Sequence, residues 1–202
     1  NIMGEIMYDL GEYSKSIKFY NNSISIKSIR GDLKGRSMSL LGSAKAFLMM
    51  GRTKDARIRV INSYRTNIEM EDKYGMFLNF LLLAQISLEE GNFTDARNYL
   101  DNANELKIHS KKKSDQYKYY MVKWLYELET EENSDIVQEI EAVLSEDDIN
   151  EFIEGECHYC LGRALEKTDP AGSAENYGKA LKLFEKIKKV PEISIVKKRM
   201  VH

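Results

Sequence analysis

Proline is nearly missing from this chain: Pro170 and Pro191 are the only two in 202 residues, against an average usage of about one in twenty. So few breakers predict long helices and exclude a many-turned sandwich or barrel. Cysteine is as scarce, with Cys157 and Cys160 alone, which excludes a disulfide framework. No stretch approaches the ~20 apolar residues of a membrane-spanning helix, and no signal-peptide pattern opens the chain. A Gly-rich phosphate loop, a Gly-x-Ser-x-Gly elbow and a His-Glu-x-x-His helix are all missing. The chain is therefore expected to be an all-α, cytoplasmic protein that is not an enzyme and needs no cofactor or metal. Charged residues at 31% and hydrophobic residues at 43% fit a globular protein.

A net charge of −2 gives no global attraction to nucleic acid, so that partner is disfavoured. The charge is unevenly spread. Residues 1–113 carry 18 Lys/Arg and 13 Asp/Glu, whereas residues 114–202 carry 12 and 19. Between Lys123 and Arg163 there is no cation, while 13 acids lie from Glu127 to Glu156. This 127–156 segment reads either as an acidic surface for a basic partner or as the solvated side of surface helices.

What is present is a repeat. Gly11-Glu12-Tyr13-Ser14-Lys15-Ser16 returns as Gly51-Arg52-Thr53-Lys54-Asp55-Ala56, and again as Gly91-Asn92-Phe93-Thr94-Asp95-Ala96, forty residues apart each time. Each Gly is followed by an apolar stripe at helical spacing, such as Phe93, Ala96, Leu100 and Ala103. Another stripe precedes it: Leu40, Ala44, Phe47 and Leu48 before Gly51, and Phe80, Leu83, Ala84 and Leu88 before Gly91. The unit is thus a first helix, a tight turn at Gly, and a second helix. Glycine suits a helix C′ position because it enters the left-handed region without a Cβ penalty. Ala44, Ala84, Ala56 and Ala96 let helices approach closely, and pairs of this kind bury their apolar faces by stacking.

The phasing predicts one solenoid domain over 1–202. Its helix pairs span 1–30, 33–70, 72–109, 113–146 and 148–189, with a capping helix over 191–200. Asp169-Pro170 reads as an N-cap followed by proline at the first helical position. In the fourth pair, Tyr117, Tyr120, Met121, Trp124, Leu125 and Leu128 form one helix and Ile136, Ile140, Val143 and Leu144 the other, in an undetermined register. The first pair has only about ten residues before Gly11. The chain is therefore expected to be a C-terminal part of a longer protein.

The Leu-Gly…Gly-Asn-Phe…Ala…Leu…Ala phrasing resembles the tetratricopeptide repeat, whose usual period is about 34 residues. The longer period is similar to that of polarity scaffolds of the Pins type, bacterial peptide-sensing Rap regulators and maltose-type transcription activators. Gly31-Asp32-Leu33-Lys34-Gly35 resembles the linker of the long-repeat scaffolds. The resemblance implies a right-handed superhelix whose first helices line a concave groove. It assigns to that groove Met38, Leu41, Lys45, Leu48 and Met49, then Leu78, Leu81, Gln85, Leu88 and Glu89. Tyr159, Arg163 and Lys167 follow in the fifth pair, and Glu5 and Tyr8 in the first. An apolar, Met-rich groove suits a protein or peptide segment with apolar anchors, although curvature or a neighbouring segment would equally make these residues core. Leu41, Leu78 and Leu81 stand where a clamp for chaperone tails would carry polar groups. Two further readings stay open: a sensor or effector-coupling module of a larger regulator, and a self-associating scaffold.

Cys157-His158-Tyr159-Cys160 offers half a zinc site, but only His109 and His202 remain as further histidine or cysteine donors, so the pair reads as small buried residues. The basic run His109-Ser110-Lys111-Lys112-Lys113 reads as phosphate-contacting or as cations at a helix C-terminus.

Overall fold

The computed structural model describes residues 1–109, 113–131 and 135–201. Among these there are eleven α-helices and no strand. They are α1 (Ile2–Asp9), α2 (Tyr13–Arg30), α3 (Leu33–Met49), α4 (Thr53–Glu69), α5 (Lys73–Glu89) and α6 (Phe93–Leu106), then α7 (Lys113–Thr130), α8 (Ile136–Leu144), α9 (Glu151–Leu165), α10 (Pro170–Lys186) and α11 (Val190–Met200). A short 3-10 turn, Lys107–His109, follows α6. The chain forms two compact units, 1–119 and 120–202, divided within α7.

Turn chemistry sets the helix lengths in the first unit. Gly51 takes φ of +69°, donates its N–H to the Leu48 carbonyl at 2.8 Å, and the next N–H, of Arg52, reaches the Phe47 carbonyl at 3.0 Å. This paired closure satisfies the last carbonyls of α3. The same closure recurs at residues 11, 31, 71 and 91, every twenty residues. At 71 the left-handed residue is Glu71, with φ of +55°. For a residue with a Cβ that conformation costs roughly 1–2 kcal/mol. We expect Glu71→Gly to raise the unfolding free energy by about 1 kcal/mol and Gly51→Ala to lower it by a similar amount, read from urea midpoints.

N-caps then start the next helices. Asp32 accepts from the Gly35 N–H at 2.8 Å and Asp72 from the Gly75 N–H at 2.9 Å. Asp169 accepts from the Gly172 N–H at 3.0 Å with Pro170 at the first helical position, as the Asp-Pro pair leads one to expect.

In the first unit each helix packs on its neighbours in chain order, and α3 also meets α1 on one side and α5 on the other. The helices α1, α3 and α5 therefore form one layer, with α2, α4 and α6 packed against it. The core joins Ile17, Ala44, Ala46, Phe47, Ala56, Val60, Leu82, Leu83 and Ile86. Close approach depends on missing side chains: a Cβ at Gly42 would lie 2.4 Å from Tyr20 Cζ, so the Tyr20 ring fills the space that glycine leaves.

A ring of polar side chains is buried within this unit. Ser37 Oγ donates to Asn67 Oδ1 at 2.6 Å, Asn67 Nδ2 to Asn79 Oδ1 at 2.6 Å, and Asn79 Nδ2 to Ser63 Oγ at 2.9 Å. Ser63 Oγ closes the ring on the Ser37 carbonyl at 3.1 Å. All four residues are at most 4% exposed, and they tie α3, α4 and α5 together. Buried polar groups must be paired in this way, because leaving one unsatisfied costs about 1–3 kcal/mol.

In the second unit α8, α9, α10 and α11 pack in chain order. Tyr177, Ala180, Phe184 and Val196 form the core, with Tyr159, Leu181, Ile187 and Ile193 against it. Trp124 is 1% exposed, and its Nε1 donates to Glu139 Oε2 at 2.9 Å, joining α7 to α8. Arg199 holds α11 in place through two 2.7 Å bonds to Glu166 at the end of α9.

Candidate binding face of the first helix layer

Helical spacing carries Met38, Leu41, Lys45, Leu48 and Met49 along one side of α3, and this side is the one left accessible. The opposite side holds Ala44 and Phe47 in the core, which fixes the rotation of the helix. Met38 is 58% exposed and Lys45 is exposed, whereas Leu41, Leu48 and Met49 are half-buried. Leu41 and Leu48 rest one edge on the core cluster and present the other to solvent. On the adjoining α5, Leu78, Gln85 and Leu88 are half-buried and Glu89 is exposed. Leu81, by contrast, is only 5% exposed. α5 is apolar nearly all round, so this leucine falls inside the packing rather than on its rim. From α1, exposed Glu5 and half-buried Tyr8 join the same layer. The Tyr8 ring stands 5.7 Å from that of Tyr13.

Chemically this is an apolar strip of thioether and leucine side chains with Lys45 and Gln85 along it. It has no paired acid and base and no nucleophile. Covering the exposed part of each such side chain contributes roughly 1 kcal/mol, and methionine adapts its shape to irregular contacts.

Tyr159 and Arg163, in the second unit, have different surroundings. Tyr159 packs against the cluster of Tyr177, Phe184 and Val196, and burial pushes its hydroxyl up to about 12. The Arg163 side chain is 9% exposed, and its Nη2 pairs with Glu129 at 2.5 Å. Lys167 is exposed and pairs with Glu131. Arg163 and Lys167 are thus engaged by acids of the 127–156 stretch, which supplied the signal in the sequence. Many of the 127–156 acids are engaged in the same way: Glu127 and Glu139 by Lys123, Glu129 by Arg163, Glu131 by Lys167 and Glu151 by Lys186.

Cys157 and Cys160 are both fully buried. Burial first, then the Glu156 carboxylate, pushes the Cys157 thiol up to about 12, and the Cys160 thiol is raised for the same reasons. Thiols so held pack as small apolar groups and resist forming the thiolate that metals and electrophiles require. Among the described residues no group of three or more His, Cys, Asp or Glu is arranged to hold a metal ion. No described helix is long and apolar enough to cross a membrane. Residues 110–112 of the basic run, and His202, lie outside the described residues.

Neither a protein-family model nor a curated protein matches this chain.

Proposed function

We propose that the chain is a tetratricopeptide-like scaffold module that binds a protein or peptide segment through the first helix layer of its N-terminal unit. The observation that carries this reading is the exposed Met38, continuous along α3 with the half-buried Leu41, Leu48 and Met49. Leu78 and Leu88 on α5 extend the strip, and Lys45 and Gln85 orient a ligand along it. A segment with apolar anchors at helical or alternating spacing fits such a surface. The helices that present the strip are fixed by their own core, so the receptor loses little conformational entropy on binding. Binding, not catalysis, is the role proposed.

The test is affinity capture from native lysate with the parent chain beside a Met38→Glu/Met49→Glu variant. Both side chains stand outside the core cluster, so the variant is expected to keep its urea midpoint within about 0.5 kcal/mol. A partner held by the parent should be recovered at least tenfold less by the variant. Equal recovery by both baits would remove this face from consideration.

A further inference from the structure

The helix α4 carries apolar residues on two opposite sides, and its packing within the repeat uses only one. Ala56 and Val60 join the core cluster, and Ser63 and Asn67 enter the buried polar ring. The other side carries Lys54, Ile58, Ile61, Arg65 and Ile68, at alternating steps of four and three residues. That spacing is the seam of a two-helix coiled coil, with each line of side chains facing a partner helix. Ile58 is 58% exposed, Ile61 37% and Ile68 47%.

At these register positions the seam is peculiar to α4, while α2 exposes a different set, Phe19, Ile26 and Ile29. The positions forty residues earlier are Lys18, Asn21, Ser25 and Ser28, and those forty residues later are Asn98, Asp101, Glu105 and Ile108. Three of four are polar in the later helix and all four in the earlier one. Isoleucine is also a weaker helix former than the residues usual at such exposed positions, so local propensity does not account for the three together. Single exposed isoleucines are ordinary, whereas an exposed apolar line marks an interaction surface.

Charge selects the occupant. Lys54 and Arg65 are the only charged residues on the seam, and neither takes part in an ion pair among the described residues. On its shoulders, Asp55 is engaged by Arg52 and Arg57 by Glu90, and Glu69 stands exposed beside Ile68. Two copies of α4 laid parallel would bring like charges together, which is destabilising, whereas a helix bearing carboxylates meets both cations with opposite charge. We propose that the outer side of α4 docks one amphipathic helix of a partner protein, apolar along its own seam and bearing carboxylates opposite Arg65 and Lys54. This surface is distinct from the strip on α3 and α5, and both can be occupied in one molecule.

The probe is a labelled three-heptad peptide with Ile at a, Leu at d and Glu at e and g, titrated with the full chain by fluorescence anisotropy. The acidic flanks also suppress pairing of the peptide with itself. Saturable binding is expected, at least tenfold weaker for a peptide with Lys in place of every Glu. In a Met38→Glu/Met49→Glu background that keeps the peptide off the α3 strip, Ile61→Asp should weaken binding at least tenfold with unchanged circular dichroism. No saturable binding, equal affinity for the two peptides, or indifference to Ile61→Asp would overturn the proposal. So would sedimentation showing a dimer of the chain that Ile61→Asp dissolves, since a second copy would then be the occupant.

Discussion

Asn67→Ala is expected to lower the unfolding free energy of the N-terminal unit by about 3 kcal/mol, the sum of two terms. The substitution strands the Asn79 carbonyl oxygen, which Asn67 bonds at 2.6 Å, while the Ser37 hydroxyl keeps Ser63 Oγ at 2.8 Å. A stranded buried group costs about 1–3 kcal/mol. The emptied space adds to this, since Asn67 is 2% exposed and its neighbours relax only partly. Urea denaturation followed by circular dichroism reads the change. The double variant Asn67→Ala/Asn79→Ala should cost less than the two single changes together, because the second removes a group that the first orphaned. Strict additivity, or a loss below about 1 kcal/mol, would mean that water takes the place of the side chain.

The second large effect is a dependence on pH in the C-terminal unit. Burial, with repulsion from Glu192 behind it, raises the Glu156 carboxyl from its ordinary 4.5 to about 8. The folded chain therefore keeps a proton that the unfolded chain has already released. Between pH 4.5 and 8 the native state binds more protons, so stability falls as pH rises through that window. At about 1.4 kcal/mol per decade the upper bound is roughly 5 kcal/mol. Partial solvent contact brings the expected loss to about 3 kcal/mol. Glu156→Gln should abolish the slope and be the more stable chain at pH 8.5, with little difference at pH 5. Taking the difference between the two chains at each pH cancels every contribution that they share. Parallel curves for parent and variant would show that the carboxyl is ionised at no cost. The lowered carboxyls of Glu166 and Glu175, held down by Arg199 and Lys179 respectively, act below the window, where acid removes their pairing.

Much of the helical order was legible because the repeat punctuates itself with residues of narrow conformational use. Gly11, Gly51 and Gly91 take the left-handed conformation that favours glycine, and Asp169-Pro170 caps α10. The turn at Glu71 could not be read the same way, since glutamate in a left-handed position breaks the rule that makes such turns visible. Its signal was instead Asp72-Lys73-Tyr74-Gly75, which repeats the Asp32…Gly35 spacing forty residues on. The buried ring of Ser37, Ser63, Asn67 and Asn79 left no trace in hydrophobic periodicity, because its members look like surface residues until three helices meet around them.

The candidate face was legible where helix rotation alone decides exposure, as along α3. It was less so where burial depends on what arrives from elsewhere in the chain. Leu81 is covered because α5 has neighbours on several sides, and Tyr159 is half-buried against the α10 and α11 side chains. Arg163 turns to Glu129, a pairing that only the packed fold brings about. The outer line of α4 was open to reading from the start, since its period is local, but the repeat drew attention to the opposite side of the same helix.

In the first unit turn closures recur every twenty residues, whereas a helix returns to the same layer every forty. A duplication or loss of forty residues in this unit returns each helix to its own layer, with each first helix still facing its own kind. A change of twenty residues would keep every turn and misplace every face. The heritable currency of such a chain is therefore the helix pair, and a lineage that lengthens or shortens it is constrained to count in twos.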